Sequence, residues 1–304
     1  MVIHKKNVGG VIINPFCSLF CLFCGGKKKV TSDEIKKQEI KVYKNLQDFK
    51  REGIKRIEIS GSDPLEYEEI AELICYIKEE GFNYVQLSTN GVKLSDPSFL
   101  NKLVSSGVDK LRIPIYGSNA KVHDSITRTP GSFNKVVTGI KNLLKKTSKI
   151  EIQISCLIMK QNKNDLLNIV DFVNKLGIKD FYFSIPCLQE DDISFYIPFK
   201  DLGPYLKKLY NYALKINDKI KFTEIPFCVF GELNLKNIIS RCSPPNLGEY
   251  NQPPEQVRTS IPDLPSYRLK KKLKICSNCK AYNDCDGFFV NDIDKFGPGK
   301  IKKI

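Results

Sequence analysis

The chain has 304 residues, with 48 Lys+Arg against 34 Asp+Glu and a formal net charge of +14. It is 41% hydrophobic and 10% aromatic, enough for a packed core and long enough for two domains or a barrel with an appendage. No apolar run approaches the roughly 18 residues of a membrane span, and the short apolar stretch after Lys5 and Lys6 is no secretory signal, so a cytoplasmic protein is expected.

From residue 11 to about 217, short β-branched runs alternate with longer amphipathic ones. Strands are predicted over 11–13, 56–59, 84–87, 110–115, 150–158 and 180–185. Helices are predicted over 33–51, 68–80, 97–106, 132–146, 163–176 and 201–216. Gly53, Gly81, Gly107 and Gly177 fall just past helix ends, where a left-handed residue stops the helix. Six βα units, read as strands apolar on both faces, predict an α/β fold with a parallel sheet closing into a partial (β/α)6 barrel. Ligands of such folds gather at the C-terminal ends of the strands. After about residue 217 the alternation stops, and six prolines between residues 244 and 265 leave little room for regular elements. The expected domains are therefore 1–217 and a small, irregular, Cys-rich unit at 218–304.

Eleven cysteines, an odd number, crowd into two places, which in a cytoplasmic chain argues for metal ligation rather than disulfides. Cys17, Cys21 and Cys24 form C-x3-C-x2-C directly after the first strand. Three thiolates can take three corners of a four-iron cluster and leave one iron open, whereas structural zinc wants a fourth ligand nearby. The only histidines, His4 and His123, are not placed to supply it. The second group is Cys276, Cys279 and Cys285, with Cys228 and Cys242 upstream. A four-thiol site, zinc or [4Fe–4S], would hold together a region with little core of its own.

Other reactive side chains have plainer readings. Cys75 and Cys156 fall on apolar stripes and read as core, and Tyr205, Tyr210 and Tyr212 read as helix packing. Cys187 follows the sixth strand, at the end where chemistry gathers, and is the single candidate catalytic residue. His123 reads as a hydrogen-bonding loop residue. The basic run 268–274 is a solvated face or a docking site for an acidic partner.

The first cysteine loop resembles the signature of the radical SAM superfamily, and further motifs follow in that family's order. Gly61-Ser62-Asp63-Pro64 after strand two is similar to its Gly-Gly-Glu-Pro stretch, and Ser88-Thr89-Asn90-Gly91 after strand three to its Thr-Asn-Gly turn. The segments 114–117, 123–124 and 131–133, and Asn162, match further positions, so the resemblance spans roughly residues 8–200. It implies a [4Fe–4S] cluster on Cys17, Cys21 and Cys24, with S-adenosylmethionine (SAM) chelating the open iron. Reduction would yield methionine and a 5′-deoxyadenosyl radical that abstracts a substrate hydrogen. It also implies Phe23 near the adenine, Gly61, Ser62 and Asp63 at the methionine ammonium, and Thr89 and Asn90 as polar contacts. Arg128 is the implied partner of the cofactor's carboxylate. Asp63 replaces a glutamate and reaches one methylene less far.

The C-terminal Cys-x2-Cys-x5-Cys resembles the SPASM/Twitch extension of the superfamily, which carries auxiliary [4Fe–4S] clusters. The full SPASM pattern has a further cysteine where this chain has Phe289, so one auxiliary cluster is implied, on Cys228, Cys276, Cys279 and Cys285, with Cys242 as the alternate. The expected function is modification of a ribosomally made peptide; the alternative is oxidation or rearrangement of a small metabolite or cofactor precursor. A molybdopterin-precursor role is less expected, because the chain ends Lys302-Lys303-Ile304 rather than Gly-Gly. A non-enzymatic zinc or nucleic-acid module is the remote alternative. Expected partners are the substrate and an acidic electron donor such as flavodoxin or ferredoxin. With only about ten residues before the first strand, a separate leader-peptide-binding protein is expected too. Neither a membrane nor a nucleic acid is an expected partner.

Overall fold

Residues 56–60 read Arg-Ile-Glu-Ile-Ser, 84–88 Tyr-Val-Gln-Leu-Ser and 110–114 Lys-Leu-Arg-Ile-Pro, a strict period of two. Each is a strand in the computed structural model, which describes residues 8–24, 30–188, 193–216, 219–231, 270–285 and 287–299. The main strands are β1 (Val8–Ile12), β2 (Arg56–Ser60), β3 (Tyr84–Ser88), β4 (Lys110–Pro114), β5 (Glu151–Leu157), β6 (Asp180–Ser184) and β7 (Lys219–Phe222). They lie in sequence order in a seven-stranded sheet. Pairing is parallel for β1–β2, β2–β3, β3–β4, β5–β6 and β6–β7. The helices are α1 (Ser32–Arg51), α2 (Ile70–Glu79), α3 (Pro97–Ser105), α4 (Ala120–Thr127), α5 (Ser132–Lys146), α6 (Leu166–Lys175), α7 (Phe199–Ile216) and α8 (Val290–Phe296). A two-residue pair, β8 (Lys270–Lys271) with antiparallel β9 (Phe288–Phe289), completes the set. This is the expected α/β class with its Cys-rich C-terminal part. The sheet carries one strand more than six units provide, because Lys219 and Lys221 give β7 too little apolar character to read as a strand. Among the described residues no helix is long and apolar enough to cross a membrane.

The described residues fall into two compact units. One comprises the chain up to Pro114 with Thr127–Gln153; the other comprises Ile115–Ile126 and most of the chain from Ile154 onward.

In the first unit the strands are not apolar on both faces, as the sequence reading had them. Ile57, Ile59, Val85, Leu87, Leu111 and Ile113 make one fully buried face. Helix α1 covers its β1 edge so closely that a Cβ on Gly9 would lie 2.5 Å from the Phe49 ring. The opposite face is polar. There the Arg112 guanidinium donates to Glu58 at 2.8 Å and to Gln153 Oε1 at 2.7 Å, and Gln86 donates to Glu58 at 3.1 Å. A parallel sheet tolerates such a face when its polar groups pair with one another. Burial pushes the Glu58 carboxyl up, while Arg112 pulls it back down.

In the second unit the short helix α4, read from sequence as loop, carries His123. This imidazole is buried, accepts a bond from Tyr116 N at 3.2 Å and is lowered to about 4 by that burial, so it stays neutral. Phe288 and Phe289 pack on Phe199 at ring separations of 5.5 and 6.1 Å, and Asp292 of α8 accepts the Phe199 amide at the start of α7. Tyr210 is buried on α7, and Tyr212 of the same helix bonds Asp171. Asn162, fully buried after β5, accepts from Met159 N at 2.8 Å and donates to Leu157 O at 2.9 Å and Tyr116 O at 3.1 Å. Replacing it strands several buried backbone groups. Asn162→Ala is expected to cost about 2–3 kcal/mol, read as a lower urea midpoint at unchanged slope.

Candidate cofactor site and a second thiol group

The expected site residues of the first unit sit where β1, β2 and β3 end, and on the turn after α4. Just beyond β1, Ile13 N donates to Ser60 O at 2.9 Å, bringing the two chains side by side. Gly61 then turns with φ +150°, and a Cβ there would lie 1.8 Å from the Ile13 carbonyl oxygen, so only glycine fits. Ser62 completes the clamp: its amide donates to Asn14 Oδ1 at 2.7 Å and its hydroxyl to Phe16 O at 3.1 Å. Asn14 N donates in turn to Gln38 Oε1 of α1 at 2.7 Å. Further along the loop, Phe20 N reaches Thr127 O at 2.9 Å and Thr129 Oγ1 at 3.2 Å. The loop bearing the three cysteines is thus pinned on both sides. Asn14, Gln38, Thr127 and Thr129 escaped the sequence reading; an Asn-Pro step straight after a strand was the one available signal.

Within the loop Cys17 and Cys21 are half-buried and Cys24 is exposed, with Cys24 N closing a turn onto Cys21 O at 3.2 Å. Asn90 aims its amide at the earlier part of the loop, donating to Cys17 Sγ at 3.6 Å and to Ser18 Oγ at 3.3 Å. Burial holds the Cys17 thiol above its ordinary value, and Asp63 and Cys24 push the same way against the donors from Leu19 and Asn90. Phe23 is half-buried between the last two cysteines. Arg128 is exposed and holds a left-handed φ of 51°, between the two threonines that grip Phe20.

Asp63 is fully buried. Its Oδ1 accepts from Thr89 Oγ1 at 2.6 Å and from Leu65 N at 3.4 Å, while Oδ2 has no partner among the described residues. Burial is the main cause that pushes this carboxyl up to about 7. Thr89 Oγ1 accepts from Gly91 N at 3.1 Å, and Gly91 packs on β4 so tightly that a Cβ would lie 2.7 Å from Ile113. Asp63 therefore braces the Thr89 turn, which in turn presents Asn90 to the cysteine loop.

In the second unit Cys228 lies in a 3-10 turn after β7, and Cys276 in another at residues Lys274–Asn278. Cys279 N donates to Cys276 O at 2.9 Å. Burial, then the nearby Cys285, Cys276 and Cys279 thiols, push Cys228 up to about 12. Those three thiols therefore lie within electrostatic reach of Cys228; Cys242 lies outside the described residues. Cys187 is half-buried beyond β6, and Cys156 is buried with its thiol pushed up by burial. Cys75 is half-buried, donating to Ser106 O at 3.7 Å. The basic run is not a uniform solvated face. Lys270 pairs with Glu224 and lies over the Phe289 ring, Lys271 pairs with Asp294, and Lys272 donates to Tyr282 O at 2.7 Å. Among the described residues no three His, Cys, Asp or Glu side chains converge on one metal-ion position.

Residues 11–173, more than half of the chain, match the family model described as radical SAM superfamily. The chain belongs to that superfamily. It is similar to the AdoMet-dependent heme synthase of Methanosarcina barkeri, 28% identical over 180 residues, or 58% of this chain and 50% of that one. It is likewise similar to a probable GTP 3',8-cyclase of Methanococcus maripaludis, 28% identical over 172 residues, or 54% of each. The chain spans about half the length of these relatives. In structure it resembles Streptococcus suis SuiB bound to precursor peptide SuiA, with TM-score 0.57 and 18% identity over 70% of this chain and 48% of that one. That likeness is one of fold. Membership in a family of enzymes sets aside the non-enzymatic zinc or nucleic-acid module.

Radical SAM enzymes use a [4Fe–4S] cluster and SAM, and the residues of the first unit fit that pair. The thiols are spread along a clamped loop, an amide donor faces the Cys17 sulfur, and a buried carboxylate oxygen lacks a partner. One consequence is testable without cofactor. Asp63 titrates near 7 when folded and near the usual ~3.9 when unfolded. Between those values the unfolded state has released a proton that the folded state keeps, so this contribution to stability is lost as pH rises from ~4 to ~7. Asp63→Asn removes it. The unfolding free energy of the variant minus that of the wild type should therefore increase over that window, measured by urea titration at fixed pH; a flat difference would contradict a buried, protonated Asp63.

Proposed function

We propose that this chain cleaves SAM reductively and modifies a residue of a ribosomally made peptide. When bound, the cluster and SAM supply a 5′-deoxyadenosyl radical that abstracts a hydrogen atom from the substrate. Cys17, Cys21 and Cys24 would hold three irons and leave the fourth open. Asn90 would steady the Cys17 sulfur, and Phe23 would cover the adenine. The Gly61–Asp63 turn, held on one side by Asn14 and on the other by Thr89, would meet the ammonium group. Arg128, exposed beside the loop, would pair with the carboxylate. Anchoring the loop at residues 14–16 and again at Phe20 before substrate arrives reduces the reorganisation needed at the reacting atoms.

The observation that carries the peptide reading is the second thiol group. Cys285, Cys276 and Cys279 lie close enough to Cys228 to push its thiol up, and these four are the set that a SPASM/Twitch-like auxiliary cluster would use. Likeness of fold to SuiB, a structure bound to a precursor peptide, supports the same direction. A second reading, action on a small metabolite or cofactor precursor, takes its support from the relatives named heme synthase and GTP 3',8-cyclase.

Anaerobic reconstitution tests both layers. Two clusters predict about eight irons per chain, falling to about four in the Cys276→Ala/Cys279→Ala variant. With SAM and dithionite the wild type should form 5′-deoxyadenosine, and Cys21→Ala should not. Deuterium carried into 5′-deoxyadenosine from a labelled peptide encoded beside the gene, and not from labelled GTP, supports peptide chemistry; the reverse supports the second reading.

A further inference from the structure

The segment that carries Cys276, Cys279 and Cys285 leaves β8 and returns as β9, and each of these strands has two residues. So short a ladder does not hold itself together in water. The return is nonetheless tight, since a Cβ on Gly287 would lie 2.3 Å from the Lys271 carbonyl oxygen. Within the segment Tyr282 N donates to Cys279 O at 3.0 Å, and the Lys272 ammonium lies 3.6 Å from the Tyr282 ring centroid. Cys228 belongs to another stretch, the 3-10 turn Phe227–Phe230 after β7. Its place beside the other thiols therefore depends on contacts between the two stretches.

Lys270 of β8 makes such a contact: it pairs with Glu224, which lies between β7 and the Cys228 turn. The side chains of this pair are 11% and 13% exposed, against 39% and 59% for Lys271 and Asp294. An exposed pair contributes little, whereas a pair largely out of water cannot lose one member without stranding the other's charge. Lys270 also lies 4.9 Å from the ring centroid of Phe289 in β9, which packs in turn on Phe199 of α7. Glu224 holds a left-handed φ of 63°, and among the described residues Arg128 is the other non-glycine residue with positive φ. A Cβ makes that conformation costly, so it persists where the surroundings fix it. Here the carboxylate reaches Lys270 from it.

We propose that Glu224 and Lys270 are positioning residues for the second thiol group. Their ion pair seats the base of the Cys276–Cys285 loop against the Cys228 turn and keeps Cys276, Cys279 and Cys285 within reach of Cys228 before any metal is bound. The purpose of this placement rests on the auxiliary-cluster reading above. Loss of the pair need not unfold either stretch, because each keeps bonds of its own: Cys279 N to Cys276 O at 2.9 Å, and Gly231 N to Cys228 O at 3.2 Å. Only their mutual placement would change.

The test uses the full chain, reduced and metal-free under anaerobic conditions, as wild type, Lys270→Met and the double variant Glu224→Gln/Lys270→Met. Diamide oxidises neighbouring thiols to disulfides, and digestion with mass spectrometry reads how fast Cys228 is joined to Cys276, Cys279 or Cys285. Both variants should slow that joining about tenfold, because the thiols' local concentration around Cys228 falls. The double variant strands no charge, so a wild-type rate there overturns the proposal by showing that the pair merely satisfies itself. No joining of Cys228 in the wild type overturns it too. Alkylation of the buried Cys156 reports folding of the same unit. It should stay as slow in the double variant as in the wild type; faster alkylation there means general loosening and overturns the positioning role. Reconstituted with iron and sulfide, the double variant should hold about four irons where the wild type holds about eight, and eight in both overturns the proposal. A wild type with only about four removes the auxiliary-cluster reading instead, and the joining rates still decide the positioning.

Discussion

The approach of the Ile13 carbonyl to Gly61 is the contact on which the site depends. Two backbones meet there with no side chain between them, at a separation that any Cβ would obstruct. Because they meet, Asn14 can cap Ser62, Gln38 can reach Asn14, and the cysteine loop leaves the sheet in one direction only. The second anchor, from Phe20 to the 127–129 turn, joins that loop to the segment carrying Arg128. Neither anchor is itself chemical. Each fixes the path of the loop backbone, so that Cys17 meets the Asn90 amide and Phe20 meets the turn carrying Arg128.

Beneath the frame lies a sheet with two unlike faces. One is sealed with isoleucine, leucine and valine, and the other is crossed by Glu58, Gln86, Arg112 and Gln153. The buried charges, Glu58 of β2 and Arg112 of β4, meet over the intervening β3, which limits the desolvation cost that a lone ion would carry. The arrangement gives the site a stiff polar base in place of an apolar core, and Arg112 contributes directly, since its carbonyl accepts the Thr89 amide at 3.1 Å.

Much of the first unit was legible in advance. Glycines with φ between +74° and +89° follow α1, α2, α3 and α6 where helix stops were read, and the strand–turn order placed the motifs at strand ends. What escaped notice depends on partners remote in the chain. The lysines at 270–272 read as a docking run because Glu224, Asp294 and Tyr282 are near them only after folding. Helix α4 was lost behind Gly117-Ser118-Asn119, a turn-like string whose serine in fact bonds Asp165 at 2.7 and 2.8 Å. The two-faced sheet is written in the alternation of Arg-Ile-Glu-Ile-Ser, a period of two that the general expectation of doubly apolar parallel strands overrides in a reading by fold class.

The crowding of thiols in the second unit has a chemical cost as well as a use. Cys276 and Cys279 share a turn, with Cys228 and Cys285 close by. Thiols near enough to share a cluster are also near enough to find one another when an oxidant reaches them. Disulfide formation among them would remove the ligands that iron needs. In the proposed auxiliary site, air and iron would compete for the same sulfurs, and the order in which the nascent chain met them would decide which of the two takes the thiols.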